Sequence, residues 1–231
     1  MKRLTGRRDP RRPSTPASSQ RARKARGRSP MDVLADPRFR LGLGTAATLV
    51  TAVSARPNHV GHCEAGAFRA VNGLPDWLYP PTWVIMQLGT LGAAPAVAAV
   101  ALLAHDRERA FRLLAGGTGT WALSKLVKQM VGRPRPATLV TGTCTRGPDA
   151  SGLGYLSGHA GVAVALGAAA FPRLNPSGRA VVAAVVPLVG LARIYVGAHL
   201  PLDVAGGAAL GLAVEAAVAL VRPPERPASS G

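Results

Sequence analysis

Six stretches of mostly apolar residues follow one another along the chain after residue 40. Ala, Val, Leu and Gly dominate them, and they are largely apolar all round. A helix that crosses a bilayer needs about 20 apolar residues. The stretches cover residues 41–55, 81–104, 111–131, 158–171, 180–197 and 204–221. We therefore expect an all-α protein, an integral membrane bundle of six transmembrane helices over residues 39–222.

A soluble all-helical bundle is the competing interpretation, because the first and fourth stretches are shorter than a membrane span. These two stretches could cross the bilayer only if flanking residues were part of the span. A soluble bundle needs polar outer faces, which these stretches lack. Their many Ala and Gly residues suit close contacts between helices in lipid. The membrane bundle is therefore the favoured prediction.

The basic residues are concentrated at the N-terminus. Thirteen of the 28 Lys and Arg lie in residues 1–40, and the formal net charge is +17. Residues 1–38 are rich in Arg, Ser and Pro and poor in apolar residues, so we predict a disordered basic cytoplasmic tail; residues 223–231 form a short C-terminal tail. The N-terminal tail suits anionic lipid headgroups. Nucleic acid is not expected, because no aromatic residues are interleaved with the basic ones.

The distribution of basic residues also predicts an orientation. If the tail is cytoplasmic and the chain crosses six times, 20 of the 28 Lys and Arg lie in cytoplasmic segments, as the positive-inside rule requires. A cleaved secretory signal is not expected, since the first apolar stretch begins near residue 41. An organelle transit peptide remains an alternative. The heavy use of Ala, Arg, Gly and Pro favours a bacterial plasma membrane.

Three short polar blocks interrupt the apolar pattern. They are KQMVGRPRP (128–136), GYLSGHAG (154–161) and ARIYVGAHLPLD (192–203). A loop that does not cross the membrane joins the first two, and two helices separate the second from the third. All three blocks are therefore expected on one face, which the predicted orientation makes the external one.

The residue types in these blocks suit a phosphoryl group. Lys128, Arg135 and Arg193 can neutralise a phosphate, and the guanidinium fork matches its oxygens. Ser157 stands where a helix N-cap belongs, so Gly158 and the residue after it would present backbone N–H groups to an anion.

Two histidines complete the pattern. His159 opens the fourth apolar stretch. His199 and Asp203 are four residues apart, and Pro201 suits a first helical position. The Asp203 carboxylate can therefore hold one ring nitrogen of His199 and leave the other free, which is how a carboxylate orients a catalytic histidine.

The three blocks together resemble the type 2 phosphatidic acid phosphatase superfamily, whose soluble relatives include vanadium-dependent haloperoxidases and bacterial acid phosphatases. The family pattern is Lys, six residues, Arg-Pro; then Pro-Ser-Gly-His; then Ser-Arg, five residues, His, three residues, Asp. The chain matches it with Leu156 in place of the proline and Ala192 in place of the serine. The resemblance covers roughly residues 60–221 and does not cover the tail. The two departures flank the residues expected to carry the chemistry and replace none of them.

The resemblance implies a metal-independent phosphatase without a cofactor. His199 would be the nucleophile and form a phosphohistidine, and His159 would be the general acid and then the base. Asp203 would orient the nucleophile. The phosphoryl oxygens would be held by Lys128, Arg135, Ser157, Gly158 and Arg193.

The expected substrate is a lipid phosphate, either an isoprenoid diphosphate or a glycerophospholipid phosphate. The alternatives are a vanadate-dependent haloperoxidase-like oxidase and a non-enzymatic membrane protein whose basic tail binds anionic lipid or nucleic acid. The sequence leaves the lipid and the oligomeric state open.

Two further features lie in the predicted external loops. Cys63 and Cys144 are both expected on the oxidising side of the membrane, which predicts a disulfide, with two free thiols as the alternative. The segment HVGHCE (59–64) contains metal-ligand residue types, but its spacing fits no closed site, so no metal is expected.

Overall fold

A computed structural model describes residues 33, 35–55, 60–148 and 152–222. The predicted tails, 1–38 and 223–231, therefore lie almost wholly outside the described residues. No β-strand occurs in the described residues, which confirms the all-α prediction. The helices are α1 (Pro37–Ala55), α2 (His62–Asn72), α3 (Tyr79–Met86), α4 (Ala93–Leu103), α5 (Arg107–Val131), α6 (Pro136–Leu139), α7 (Gly158–Ala170), α8 (Pro176–Tyr195) and α9 (Pro201–Val221).

Each of the six apolar stretches is helical, and polar caps mark where several helices begin. Asp106 accepts a 2.9 Å hydrogen bond from the Arg109 N–H at the start of α5, and Asn175 accepts one of 2.8 Å from Gly178 at the start of α8. These side chains satisfy backbone donors that a helix leaves unpaired in its first turn. The second stretch departs from the prediction, because α3 and α4 are separate helices joined through a 3₁₀ turn at Gln87–Gly89.

The number of membrane spans is smaller than predicted. Among the described residues, α8 and α9 are long and apolar enough to cross a bilayer, and Asp76–Gly89 with Ala93–Leu103 is a third candidate, bent by 67°. The prediction of six transmembrane helices is therefore corrected to two or three. Helix α7 has only 13 residues, and α5 carries charged side chains near both ends. The long apolar helices still identify a membrane protein.

The outer surface of the bundle fits a lipid environment. Large apolar side chains such as Val50, Leu103 and Val181 are 60% or more exposed. The interior instead contains many small residues, for example a cluster of Ala94, Ala98 and their neighbours between α4, α5 and α7. Small interior residues let helices approach closely, which is how helices associate where lipid removes the hydrophobic driving force.

A network of ion pairs joins the helices at one end of the bundle. Glu215, fully buried near the end of α9, pairs with Arg40 of α1 and Arg112 of α5. Arg173, after α7, pairs with Glu108 at 2.6 Å. This end is opposite the three polar blocks, because α5 runs from Arg112 towards the first block and α9 runs from the third block towards Glu215.

The first predicted external loop contains a helix that the sequence analysis missed. Helix α2 begins at His62, so Cys63 lies in its first turn, and Asn72 at its other end bonds the backbone of Cys144 at 2.8 Å. From Cys63 to Asn72 the helix rises about 13 Å along its axis, whereas a disulfide needs the two cysteine Cα atoms within about 7 Å of each other. Both cysteines are exposed free thiols. The predicted disulfide is therefore absent, because α2 holds the two thiols at its opposite ends.

Candidate active site

The first polar block leaves α5 through a left-handed turn. Gly132 has φ of 69°, a conformation that favours glycine, and its N–H bonds the Lys128 carbonyl at 2.9 Å. The Lys128 ammonium donates to the carbonyls of Leu153 and Gly154 at 3.1 and 3.0 Å. Arg135 donates to the Ala198 carbonyl at 2.9 Å. The two cations thus tie the first block to the second and third.

The second polar block forms the N-terminus of α7, as predicted. Ser157 is fully buried and caps the helix by accepting a 3.4 Å hydrogen bond from the Ala160 N–H. Gly158 packs so closely that a Cβ there would lie 3.0 Å from the Ser124 hydroxyl. His159 follows in the first turn and lines a cavity. The helix start therefore lies beside that cavity, where free N–H groups and the helix dipole favour an anion.

The third polar block turns sharply between α8 and α9. Gly197 has φ of 74°, and the N–H groups of Ala198 and His199 both point back to the Arg193 carbonyl, at 3.1 and 3.2 Å. This turn places Arg193 on the last turn of α8 and His199 just ahead of α9. Asp203 lies in the first turn of α9 and is fully buried.

His199 and Asp203 face each other at a distance longer than a hydrogen bond. The Nδ1 atom of His199 is 3.7 Å from Oδ2 of Asp203, beyond hydrogen-bond range, and Nδ1 has no other hydrogen-bond partner in the described part of the chain. Burial lowers the pKa of His199 to about 4, although the Asp203 carboxylate opposes the shift. The ring is therefore neutral near pH 7, the state that a nitrogen nucleophile requires.

A cavity of about 380 Å³ opens beside these blocks. Arg135, His159 and Arg193 line it, together with Tyr79, Trp83 and Gln87. Nη1 of Arg193 lies 3.3 Å from the Met86 sulfur, and its Nε has no hydrogen-bond partner within the described ranges. The cavity therefore offers guanidinium groups to an anion next to a histidine.

Two charged residues at this end were not among the predicted site residues. Arg133 is 1% exposed and donates to Oδ1 of Asp203 at 2.9 Å. It also donates to both oxygens of Glu64 in α2, at 3.0 and 2.7 Å. Hydrogen bonds to Glu64 and the charge of Asp203 raise the pKa of Arg133 despite its burial. The position of Arg133 inside the first block was a signal for a role at the site. Glu64 drew attention only as a possible metal ligand in HVGHCE, and nothing in the sequence linked it to the three blocks.

The two departures from the expected motifs are accommodated by apolar packing. Leu156 is fully buried in a cluster with Ala55, Tyr155 and Leu210. Ala192 is 2% exposed and lies in a cluster with Met86. Neither residue is among those that line the cavity.

These features define a class of fold and site: an all-α membrane bundle that gathers cations, two histidines and a carboxylate at one end. The sequence profile of the PAP2 superfamily matches residues 109–227, slightly more than half of the chain. The protein belongs to the PAP2 superfamily, as the resemblance predicted. No curated protein sequence matches the chain.

Two solved structures share this fold. The crystal structure of Aquifex aeolicus LpxE is 22% identical, with a TM-score of 0.61 over 66% of this chain and 92% of that one. A transmembrane PAP2-type phosphatidylglycerolphosphate phosphatase from Bacillus subtilis is also 22% identical, with a TM-score of 0.63 over 79% of this chain and 96% of that one. At this identity the likeness establishes the fold.

Proposed function

We propose that the protein is a membrane lipid phosphatase that hydrolyses a phosphate monoester or diphosphate headgroup through a phosphohistidine. The observation that supports this most directly is the convergence of Arg135, Arg193 and His159 on one cavity, with His199 and Asp203 in the adjoining turn. Cations placed around a phosphoryl group stabilise the charge that develops on its oxygens during transfer.

In the first step, Nε2 of His199 attacks phosphorus, since Nδ1 faces Asp203. The phosphorus–oxygen bond to the leaving group breaks, and His159 donates a proton to the departing oxygen. The phosphoryl oxygens are held by the side chains of Lys128, Arg135 and Arg193 and by the N-terminus of α7 at Ser157 and Gly158. Asp203 stabilises the positive charge that forms on the His199 ring.

In the second step, water attacks the phosphohistidine. His159, now neutral, accepts a proton from that water, and the phosphorus–nitrogen bond breaks to release phosphate. Burial, together with the charges of Arg193, Lys128 and Arg135, lowers the pKa of His159 to about 3. An anionic substrate offsets those cations, so His159 gains its proton together with the phosphate. No metal takes part in either step.

A lipid substrate fits the position of the site. The cavity lies at one end of apolar helices, where a headgroup can enter while its hydrocarbon chain stays in the bilayer. Trp83 on the cavity wall is 48% exposed and Trp77 nearby is 73% exposed. Aromatic rings of this kind favour the membrane–water interface. An isoprenoid diphosphate and a glycerophospholipid phosphate are the two proposed substrate classes.

We place the active site on the external face of a bacterial plasma membrane, with the N-terminus in the cytoplasm. The first 40 residues contain 13 of the 28 Lys and Arg, and Arg40 lies at the end of the bundle opposite the site, so the positive-inside rule favours this orientation. A membrane-impermeant amine label should leave Lys2 and Lys24 unmodified in intact cells. Labelling of either lysine in sealed cells would contradict this orientation.

A substrate panel tests the proposed function. Purified protein in lipid nanodiscs is offered an isoprenoid diphosphate, phosphatidate and phosphatidylglycerophosphate, without added vanadate, and released phosphate is measured. We expect hydrolysis of at least one substrate and none by a His199→Ala variant. Absence of hydrolysis on the whole panel, or equal release by the variant, would contradict the proposal.

A further inference from the structure

The Asp203 carboxylate is fixed by contacts that do not involve His199. Its Oδ1 accepts a hydrogen bond from Nη1 of Arg133 at 2.9 Å, and its Oδ2 accepts one from the Leu200 N–H at 2.8 Å. The His199 ring is the more distant neighbour, at 3.7 Å. The orientation of Asp203 towards His199 is therefore set by Arg133 and by the first turn of α9.

Arg133 itself is held by Glu64. The two side chains form a fork-to-fork pair, with hydrogen bonds of 3.0 and 2.7 Å between both guanidinium ends and both carboxylate oxygens. Such bidentate pairs fix the plane of the guanidinium as well as its position. Oε1 of Glu64 also accepts a 3.1 Å hydrogen bond from the Leu202 N–H. Glu64 thus joins α2, the loop after α5 and the start of α9.

The charges in this cluster are not balanced one to one. Arg133 contributes one positive charge, whereas Glu64 and Asp203 contribute two negative charges, and all three side chains are at least 90% buried. Arg133 alone would neutralise Asp203 and weaken its attraction for a positive ring. Because Glu64 neutralises Arg133, Asp203 keeps its charge for the imidazolium that forms when His199 bonds phosphorus.

We propose that Arg133 and Glu64 are a positioning pair for the catalytic histidine: Arg133 orients Asp203 towards His199, and Glu64 neutralises Arg133 so that Asp203 can stabilise the charged ring. The inference rests on the proposed phosphatase function. Arg133 acts through Asp203 and does not touch the substrate, because its guanidinium is 1% exposed and contacts two carboxylates.

The test is a double-mutant cycle on kcat. Arg133→Lys keeps the charge but cannot bond both carboxylates with one planar fork, so we expect kcat to fall about tenfold with KM changed less than about threefold. Glu64→Gln keeps the volume and should lower kcat severalfold in the same way. In an Asp203→Asn background, both substitutions should lose most of their effect, because residues that act through one another are not additive.

Arg112→Lys is the matched control. Arg112 is also a buried arginine beside two carboxylates, Glu215 and Glu108, but it lies at the opposite end of the bundle. The Arg112→Lys substitution should lower the melting temperature and leave kcat unchanged. If the Arg133→Lys variant does not fold, the same test is made with the double-mutant cycle of Glu64→Gln and Asp203→Asn on kcat.

Two outcomes would overturn the inference. A rise in KM at constant kcat would make Arg133 a phosphate ligand. An equal loss of kcat with and without Asp203→Asn would leave the pair with a structural role only. Both of these outcomes are measured on an enzyme whose wild type is active. If the phosphatase proposal itself is wrong, the wild type is inactive on the whole substrate panel, so the two failures are distinguishable.

Discussion

The backbone N–H of Ser157 donates a 2.8 Å hydrogen bond to the carbonyl oxygen of Asp203. This bond joins the start of α7 directly to the start of α9. A Cβ at Gly207, one turn further along α9, would overlap the carbonyl oxygen of Ser157. The phosphate-binding turn and the residue that orients the nucleophile are thus held together by backbone contacts that only glycine permits.

Gly207→Ala should therefore displace the second polar block. Overpacking of a tight interior contact costs about 1–3 kcal/mol, and we expect a lower melting temperature together with reduced kcat. Gly42→Ala is the control, because a Cβ at that exposed helical position meets nothing within 4 Å. Thermal unfolding and turnover in the same detergent measure both effects. Wild-type activity and stability in Gly207→Ala would contradict the close packing.

His159→Ala should impair turnover in a way that depends on the leaving group. A general acid matters most when the departing oxygen is strongly basic, so the loss should be large for an alkyl phosphate and smaller for p-nitrophenyl phosphate. Rates for a series of leaving groups with wild type and variant provide the measurement. An equal loss across the series would argue against the acid role.

The stability of the protein should depend on pH through His199. Burial lowers its folded-state pKa to about 4, below the unfolded value of about 6.5. Between these values the unfolded chain binds more protons, so His199 reduces stability as the pH falls from about 6.5 to about 4. The melting temperature of wild type should therefore decrease more over this range than that of His199→Asn. A wild type that gains stability relative to the variant on acidification would indicate a protonated, ion-paired His199.

The sequence predicted the helices and the meeting of the three polar blocks because both depend on local pattern and chain topology. Apolar stretches mark the helices, and the spacing of His199 and Asp203 places them one turn apart. The break near Gly89 had a local signal in Gly92 and Pro95, but a continuous apolar stretch outweighed it.

Glu64 could not have been assigned to the site from the sequence. It lies far along the chain from Arg133, and only the tertiary position of α2 brings them together. The same helix explains the wrong disulfide prediction, since it separates Cys63 from Cys144. The pairing of a residue in α2 with a residue in a distant loop depends on tertiary packing, which leaves no local pattern in the sequence.

Metal independence remains a prediction that a chelator can test. Among the described residues, no group of three or more His, Cys, Asp or Glu side chains could hold a metal ion. We expect EDTA to leave turnover unchanged and vanadate to inhibit, since vanadate adopts the five-coordinate geometry of the phosphoryl transition state and such mimics bind tightly. Loss of activity with EDTA and none with vanadate would contradict the histidine mechanism.

The most direct test of the account is to trap the phosphoenzyme. Protein mixed with ³²P-labelled substrate and quenched in alkali within milliseconds should carry acid-labile, alkali-stable label on the peptide that contains His199. Label should be absent from His199→Ala, whose turnover should fall below about one per cent of wild type. Label on another residue, or retained turnover in His199→Ala, would contradict His199 as the nucleophile.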